Sequence, residues 1–355
     1  MPEQQGEGMK GRGLKRLLIV LLAVTLTFSS LSCSPKKERM FKRSEFLLDT
    51  IVTITVVAGS EKEAGDAMDK AFEEIRRLGG LLDFFSPESE ISAINRNAGI
   101  TPVAVSPETL DLLERASEVS AGSNGAFDIT VGAVVSLYDF HRKVRPPDSL
   151  IRERLPLVNF RDLILDRSRG TAFLRRKGMT VDAGGIAKGY AADRAVEVLK
   201  SAGISAALVA VAGDIRAYGS KPGGKPWLVG IRDPRGSGLD DIIATIPLRD
   251  MAVSTSGDYE RFFIEDGKRI HHLIDPKTGH PAGGVMSVTV VGPLAVYTDS
   301  LATAVFISGI EKGLKTAEAF GYDALMIDAS GGIHMTDALK GRIAMLPRAK
   351  ENGRR

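Results

Sequence analysis

Asp182, Gly184, Gly185 and Lys188 fall within one short run, Val181-Asp182-Ala183-Gly184-Gly185-Ile186-Ala187-Lys188-Gly189-Tyr190. Adjacent glycines ahead of a helix let the backbone approach a ligand closely and leave free amides facing it. Asp182 can accept hydrogen bonds from a base or a ribose, and Lys188 can meet phosphate charge. A plain strand-to-helix connection uses the same glycines. A second run, Thr298-Asp299-Ser300-Leu301-Ala302-Thr303, sets a carboxylate and a hydroxyl four residues apart. If Thr298 caps a helix, Asp299 and Thr303 share one face of its first turn, and both oxygens can reach one hard cation. Mg²⁺ takes oxygen ligands and usually borrows others from substrate phosphates. An aspartate early in a helix is also favoured by the helix dipole alone.

The third run is His271-His272-Leu273-Ile274-Asp275-Pro276-Lys277-Thr278-Gly279-His280-Pro281, which holds three of the five histidines. Histidine can shuttle protons near neutral pH, and a surface turn ending in Pro-Lys-Thr-Gly is the alternative. No HExxH spacing and no cysteine partner supports zinc. Two smaller runs, Ser123-Asn124-Gly125-Ala126-Phe127-Asp128-Ile129-Thr130 and Val253-Ser254-Thr255-Ser256-Gly257-Asp258-Tyr259, mix glycine with small hydrogen-bonding residues, as loops and pockets both do.

The elements that must position these runs follow from periodicity. Phe46 to Val57 is rich in Ile, Val and Thr and predicts a first strand. Ser60-Glu61-Lys62-Glu63 forms a capping box. Behind it Ala64, Ala67, Met68, Ala71, Phe72, Ile75, Leu78 and Leu82 recur at helical spacing. A second helix is expected from Ser106-Pro107, a third over Ala187–Ala202, and others over Asp299–Ile307 and Glu311–Phe320. Strands are expected at Ala207–Ala212, Trp227–Ile231, Ile242–Ile246, Ser287–Val291 and Ala324–Ile327. Helices and strands are interspersed without strict alternation, which argues for an α+β fold rather than a doubly wound parallel sheet. No repeat and no linker interrupts residues 45–346, so one compact domain is expected there.

Charge and the N-terminus bound the partners. The chain has 47 Lys and Arg against 44 Asp and Glu, and 43% hydrophobic residues. Residues 1–33 hold four of the basic and two of the acidic groups, so the remainder carries a net charge of +1. A nearly neutral body with little aromatic content indicates no nucleic-acid surface. Lys10 to Arg16 is a basic stretch, and the apolar run Leu17 to Phe28 is shorter than the roughly 17–25 residues of a membrane-spanning helix. Residues 1–33 therefore read as an export signal, with Met1 or Met9 as the start. The only cysteine, Cys33, follows directly in Ser30-Leu31-Ser32-Cys33-Ser34, which resembles a bacterial lipobox. That makes Cys33 the expected lipidation site, the alternative being an ordinary signal with an incidental cysteine. Residues 34–44 read as a polar tether and 347–355 as a polar tail.

Taken together and in order, these runs resemble the FAD:protein FMN transferases, the ApbE family, from about Phe46 to Leu346. The most specific pieces are Asp-Ala-Gly-Gly-Ile-Ala-Lys-Gly at 182–189, His-Leu-Ile-Asp-Pro-Lys-Thr-Gly at 272–279 and Asp-Ser-Leu-Ala-Thr at 299–303. Ser-Pro-Glu-Ser-Glu-Ile-Ser at 86–92, Gly-Ala-Phe-Asp-Ile-Thr-Val-Gly at 125–132 and Thr-Ser-Gly-Asp-Tyr at 255–259 support them. The resemblance implies an ApbE-like, T-fold-related domain of mixed sheets and packed helices. It also implies a lipid-anchored or periplasmic enzyme that binds FAD with Mg²⁺. Such an enzyme joins FMN to a threonine of flavoproteins, for example subunits of Rnf-type or sodium-pumping electron-transport complexes. The implied metal ligands are Asp299, Thr303 and the Gly185 carbonyl. FAD contacts are implied at Leu48, Phe85, Ala126, Phe127, Asp128, Asp182, Lys188 and Leu273, with His272 the catalytic candidate.

The chain departs from the family pattern at three places. Leu48-Asp49-Thr50 stands where Met-Gly-Thr is frequent, Phe85 where a tyrosine commonly stacks, and Ala212 in place of one glycine before Asp214. Two other activities fit the same residues: a Mg²⁺-dependent FAD pyrophosphatase that yields FMN and AMP, and a non-catalytic FAD-binding lipoprotein.

Overall fold

The computed structural model describes residues 38–347, apart from 237, 239 and 240. The export signal, Cys33 and all but the first residue of the polar tail lie outside the described residues.

The β-rich stretch expected as a single strand is a hairpin. Strand β1 (Arg39–Leu47) pairs antiparallel with β2 (Thr50–Ala58), Phe46 opposite Ile51. The connecting Leu48 and Asp49 have φ of 53° and 54°, as a two-residue hairpin turn of this hand requires. That turn usually contains glycine or asparagine, so Leu-Asp concealed it. The expected tether is shortened as well, because Arg39 to Ser44 already belong to β1.

The main sheet continues with β3 (Ala206–Val211), β4 (Asp214–Tyr218), β5 (Ala252–Gly257), β6 (Val285–Gly292), β7 (Asp323–Asp328) and β8 (Ile333–Met335). Its eight strands lie side by side in chain order, and every neighbouring pair is antiparallel. The other elements are inserted between strands of this meander, except a short helix at Asp337–Lys340 and the strand 344–345, which follow it. The expected α+β class is what the chain adopts.

One face of the sheet is covered by helices α1 (Glu61–Leu82), α2 (Pro107–Gly122), α3 (Ala187–Ser201), α4 (Ala295–Ser308) and α5 (Ile310–Ala319), whose apolar residues form one continuous core with the sheet. The α1 stripe is buried at each of the eight positions that its period predicts. Ser60 accepts the Glu63 amide at 3.2 Å, while the Glu63 carboxylate reaches back to the Gly59 amide at 3.2 Å. Full burial of each large side chain in such a stripe contributes about 1.5–3 kcal/mol. On the other face Trp227, Ile246 and Leu248, from a small sheet of 227–232, 242–248 and 344–345, pack on Val57, Ala217, Val291 and Ile327. A third cluster of Val134, Tyr138, Ile151, Phe263, Ile270 and Ile274 anchors the histidine-bearing loop to the body.

Helix α4 starts four residues before the expected Asp299. Its first amides need no local cap, because Asp193 of α3 accepts the Ala295 and Val296 amides at 3.0 and 2.9 Å. Thr298 is therefore not the cap. It lies inside the first turn, donating to the Ala295 carbonyl at 3.1 Å, and it shares a 2.8 Å hydrogen bond with Ser254. The two helices touch at Gly189, where a Cβ would stand 2.1 Å from the Ala295 carbonyl oxygen. Only glycine lets α3 and α4 approach this closely.

Candidate active site

A polar seam runs where α3, α4 and β4 meet. Lys188, in the first turn of α3, places its ammonium 2.5 Å from Asp214 Oδ2 and 3.3 and 3.4 Å from the two oxygens of Asp299. Asp299 also accepts the Gly189 amide at 2.9 Å. Both aspartates are 4% exposed. Asp214 opens β4 after the tight turn Ala212–Gly213, and Ala212 has φ 52°. That left-handed conformation costs a non-glycine residue roughly 1–2 kcal/mol, so a glycine would hold this turn with less strain.

The electrostatics of the seam favour a further cation. Two buried carboxylates share one ammonium, which leaves an excess of one negative charge. Burial, and then the charge of Asp214, push the Asp299 carboxyl up to about 6, although Lys188 pulls the other way. Burial draws the Lys188 ammonium down, but the two aspartates outweigh it and hold the group above its ordinary value. One turn beyond Asp299, the Thr303 hydroxyl shares a 3.5 Å contact with Ser256. It lies 3.7 Å from where a Cβ on Gly185 would be, and Phe127 packs 3.2 Å from the same point. Thr303 thus lies beside Gly185 and one turn from Asp299, with Asp299 and Thr303 on the second and third turns of α4 rather than its first. No cluster of three or more His, Cys, Asp or Glu suited to a metal occurs among the described residues. A cation here must draw on a hydroxyl, a carbonyl and its substrate, and that donor set suits Mg²⁺ better than a soft metal.

His272 sits on the loop after the hairpin of 262–265 and 268–271. Its amide donates to the Arg261 carbonyl at 3.1 Å, and its ring Nδ1 lies 3.3 Å from the same oxygen. A carbonyl only accepts, so Nδ1 carries the proton and Nε2 keeps its lone pair. Burial and then the Arg261 guanidinium lower the ring to about 3, so it is neutral at physiological pH. Its neighbour His271 is structural: 4% exposed, bonded through Nε2 to the Ala282 carbonyl at 2.8 Å and edge-on to Phe306.

The remaining predicted residues divide by location. Asp182 accepts the Gly184 amide at 2.8 Å and so shapes the glycine turn; burial raises its carboxyl against the pull of Arg261. Asp128 is 6% exposed, and its carboxylate is fully engaged by the Thr130 amide and hydroxyl and by the Phe160 amide, at 2.6–2.9 Å. Ala126 borders a groove of about 330 Å³ shared with Ser123, Asn124, Asp275 and Lys277. The Leu273 side chain is core, and its carbonyl accepts the Ala282 amide at 2.9 Å. Leu48 and Phe85 stand at the C-terminal end of α1, outside the seam. Leu48 lies against Gly79, and Phe85 is 85% exposed, edge-on to Phe84.

Asp214 entered the sequence reading only as the residue after the Ala212 departure, and Arg261, Glu260 and Asp193 did not enter it. Desolvation pushes the Glu260 carboxyl up, against the pull of Arg232 and then Lys188. The adjacency of Asp258-Tyr259-Glu260-Arg261 to a small-residue run was the one signal available.

Comparison with known families matches residues 48–326 to the ApbE family. Among curated relatives, the FAD:protein FMN transferase of Treponema pallidum is 35% identical, covering 89% of this chain and 92% of that protein. The protein of the same name from Haemophilus influenzae is 32% identical over 86% and 91%. Among solved structures, the ApbE protein of Thermotoga maritima superposes with a TM-score of 0.79 at 34% identity, covering 86% of this chain and 99% of that one. The flavin transferase ApbE of Vibrio cholerae gives 0.76 at 28% identity over 86% and 99%.

Proposed function

The chain belongs to the ApbE family, and from that premise we propose that it transfers FMN from FAD to a threonine hydroxyl of an acceptor flavoprotein, with Mg²⁺ as the ion and AMP as the leaving group. The observation that carries this reading is the buried seam of Lys188, Asp214 and Asp299, with Thr303 and Gly185 beside it: an unbalanced negative charge next to a glycine turn and a lysine. Mg²⁺, when bound by Asp299, Thr303 and the Gly185 carbonyl, would neutralise diphosphate charge and favour in-line displacement.

The chain's own groups do the rest. The Lys188 ammonium offers a fixed positive charge to the phosphate being transferred. The Gly184 amide is taken by Asp182, so the next amide of the turn, that of Gly185, offers a donor to its oxygens. His272 Nε2 takes the threonine proton as the new oxygen–phosphorus bond forms and the bridging phosphorus–oxygen bond of FAD breaks, releasing AMP. The Arg261 carbonyl keeps that imidazole in the tautomer able to do so. Phe85 offers an exposed ring face for stacking on the flavin or the adenine.

Incubation with FAD, Mg²⁺ and a threonine-bearing acceptor domain, from an Rnf-type or sodium-pumping complex, tests the proposal. Covalent flavin fluorescence on the acceptor supports it. Free FMN without labelled acceptor would mean a pyrophosphatase, and unchanged FAD a binding protein.

The raised Asp299 carboxyl sets a pH dependence. Below about 6 the metal-free site holds a proton that a cation must displace, and above it none. Mn²⁺ affinity, read by titration, is expected to be flat above pH 6 and to fall about tenfold per unit below it. A constant affinity from about pH 5 to 7 would contradict the assignment.

We place the enzyme on a bacterial membrane, anchored through lipidated Cys33 and facing the periplasm or the cell exterior. Replacing Cys33 with alanine is then expected to shift the protein from the membrane fraction to the soluble one, and unchanged membrane retention would overturn the anchor.

A further inference from the structure

We propose that Asp214 is a positioning residue that holds the Lys188 ammonium off Asp299 and so keeps the Asp299 carboxylate available to the cation. This rests on reading Asp299 as a cation ligand. Lys188 lies between the two carboxylates but not midway: it is 2.5 Å from Asp214 and 3.3–3.4 Å from Asp299. The two aspartates come from different elements, β4 and α4, and their side chains are equally buried, at 5% exposure. The asymmetry therefore lies in the lysine's position and not in solvent access. Without the Asp214 charge, the ammonium would turn to Asp299, neutralise it and compete with a divalent ion for the same oxygens.

A second ion pair makes Asp214 dispensable as a strut. Arg216, two residues along the same strand and on the same face, bonds Asp193 of α3 at 3.0 Å. Asp193 in turn caps α4. The spacing of strand and helices is thus fixed one register away from Asp214, which leaves Asp214 to act on the lysine alone.

The test is Mn²⁺ binding to the full chain, followed by electron paramagnetic resonance. Asp214→Asn is expected to raise the Mn²⁺ dissociation constant about tenfold or more, a change that one altered charge contact in a buried site can produce. Adding Lys188→Met to that variant removes the competing ammonium and should return binding to within about threefold of the original chain, a shift under 1 kcal/mol, while FMN transfer stays lost. A purely structural role for Asp214 predicts no such rescue. Unchanged Mn²⁺ affinity in Asp214→Asn, or no recovery in the double variant, would overturn the proposal. If Asp214→Asn does not fold, Lys188→Met alone decides: tighter Mn²⁺ binding supports it, and equal or weaker binding refutes it. Asp299→Asn serves as the control for the premise. If that variant binds Mn²⁺ as the original chain does, the ligand assignment fails first and this proposal falls with it.

Discussion

Asparagine in place of Asp299 is expected to lower FMN transfer by about a thousandfold or more at ordinary Mg²⁺, roughly 4 kcal/mol of transition-state stabilisation, while making the metal-free protein more stable. The two effects share one cause. Asp299 is 4% exposed, stands beside Asp214 and has only half a claim on Lys188. Its carboxyl is pushed up from the ordinary value to about 6, so the folded state binds this proton more tightly than the unfolded chain does. For a carboxyl shifted in that direction, stability is highest at low pH and is lost as pH rises through about 6. At neutral pH the ionised group therefore costs the metal-free fold on the order of 1–3 kcal/mol. Asparagine removes that cost and still accepts the Gly189 amide, and Lys188 keeps Asp214. Thermal unfolding without metal should shift upward in the variant, and the further stabilisation that Mg²⁺ gives the original chain should vanish. A variant that is less stable without metal yet fully active would place the cation elsewhere.

The second large effect is expected at His272. Asparagine there can donate its side-chain amide to the Arg261 carbonyl much as Nδ1 does, but it has no basic lone pair. Transfer should fall about 10²–10⁴-fold, the usual range for loss of a general base, with Mn²⁺ and FAD affinities unchanged. Burial and the Arg261 guanidinium keep the free ring near 3, so the imidazole is neutral over the whole working range and contributes no acidic limb to the pH profile. An anionic substrate bound beside Arg261 would offset that charge and raise the basicity of Nε2. A His272→Asn variant that retains most of its transfer rate, with binding intact, would remove the imidazole from the proton transfer.

How much of this was legible beforehand depended on whether a contact is local. The α1 stripe and its cap lie within one run of residues, so periodicity and the Ser60–Glu63 spacing located them closely. Asp299 and Thr303 share a helix face as their four-residue spacing implies, wherever the helix begins. The start of α4 was missed because its cap, Asp193, is about a hundred residues away in sequence. The β1–β2 turn was missed because Leu48 and Asp49 take a conformation that glycine or asparagine normally signals. Asp214 was noted only as the residue that follows the Ala212 turn; its pairing with Lys188 was missed for the same reason as the Asp193 cap, because only the folded meander sets β4 against α3 and α4. The charge balance that makes the seam attractive to a cation is a property of three elements together, and no single segment displays it.

On the proposed function, one divalent ion held by Asp299, Thr303 and the Gly185 carbonyl would engage the diphosphate of FAD. Crystals grown with FAD and Mn²⁺, measured at the manganese absorption edge, test it most directly. The expected result is an anomalous peak bridging those three residues and the diphosphate oxygens. FAD bound with its diphosphate remote from Asp299, or a manganese peak away from this pair of helices, would contradict it.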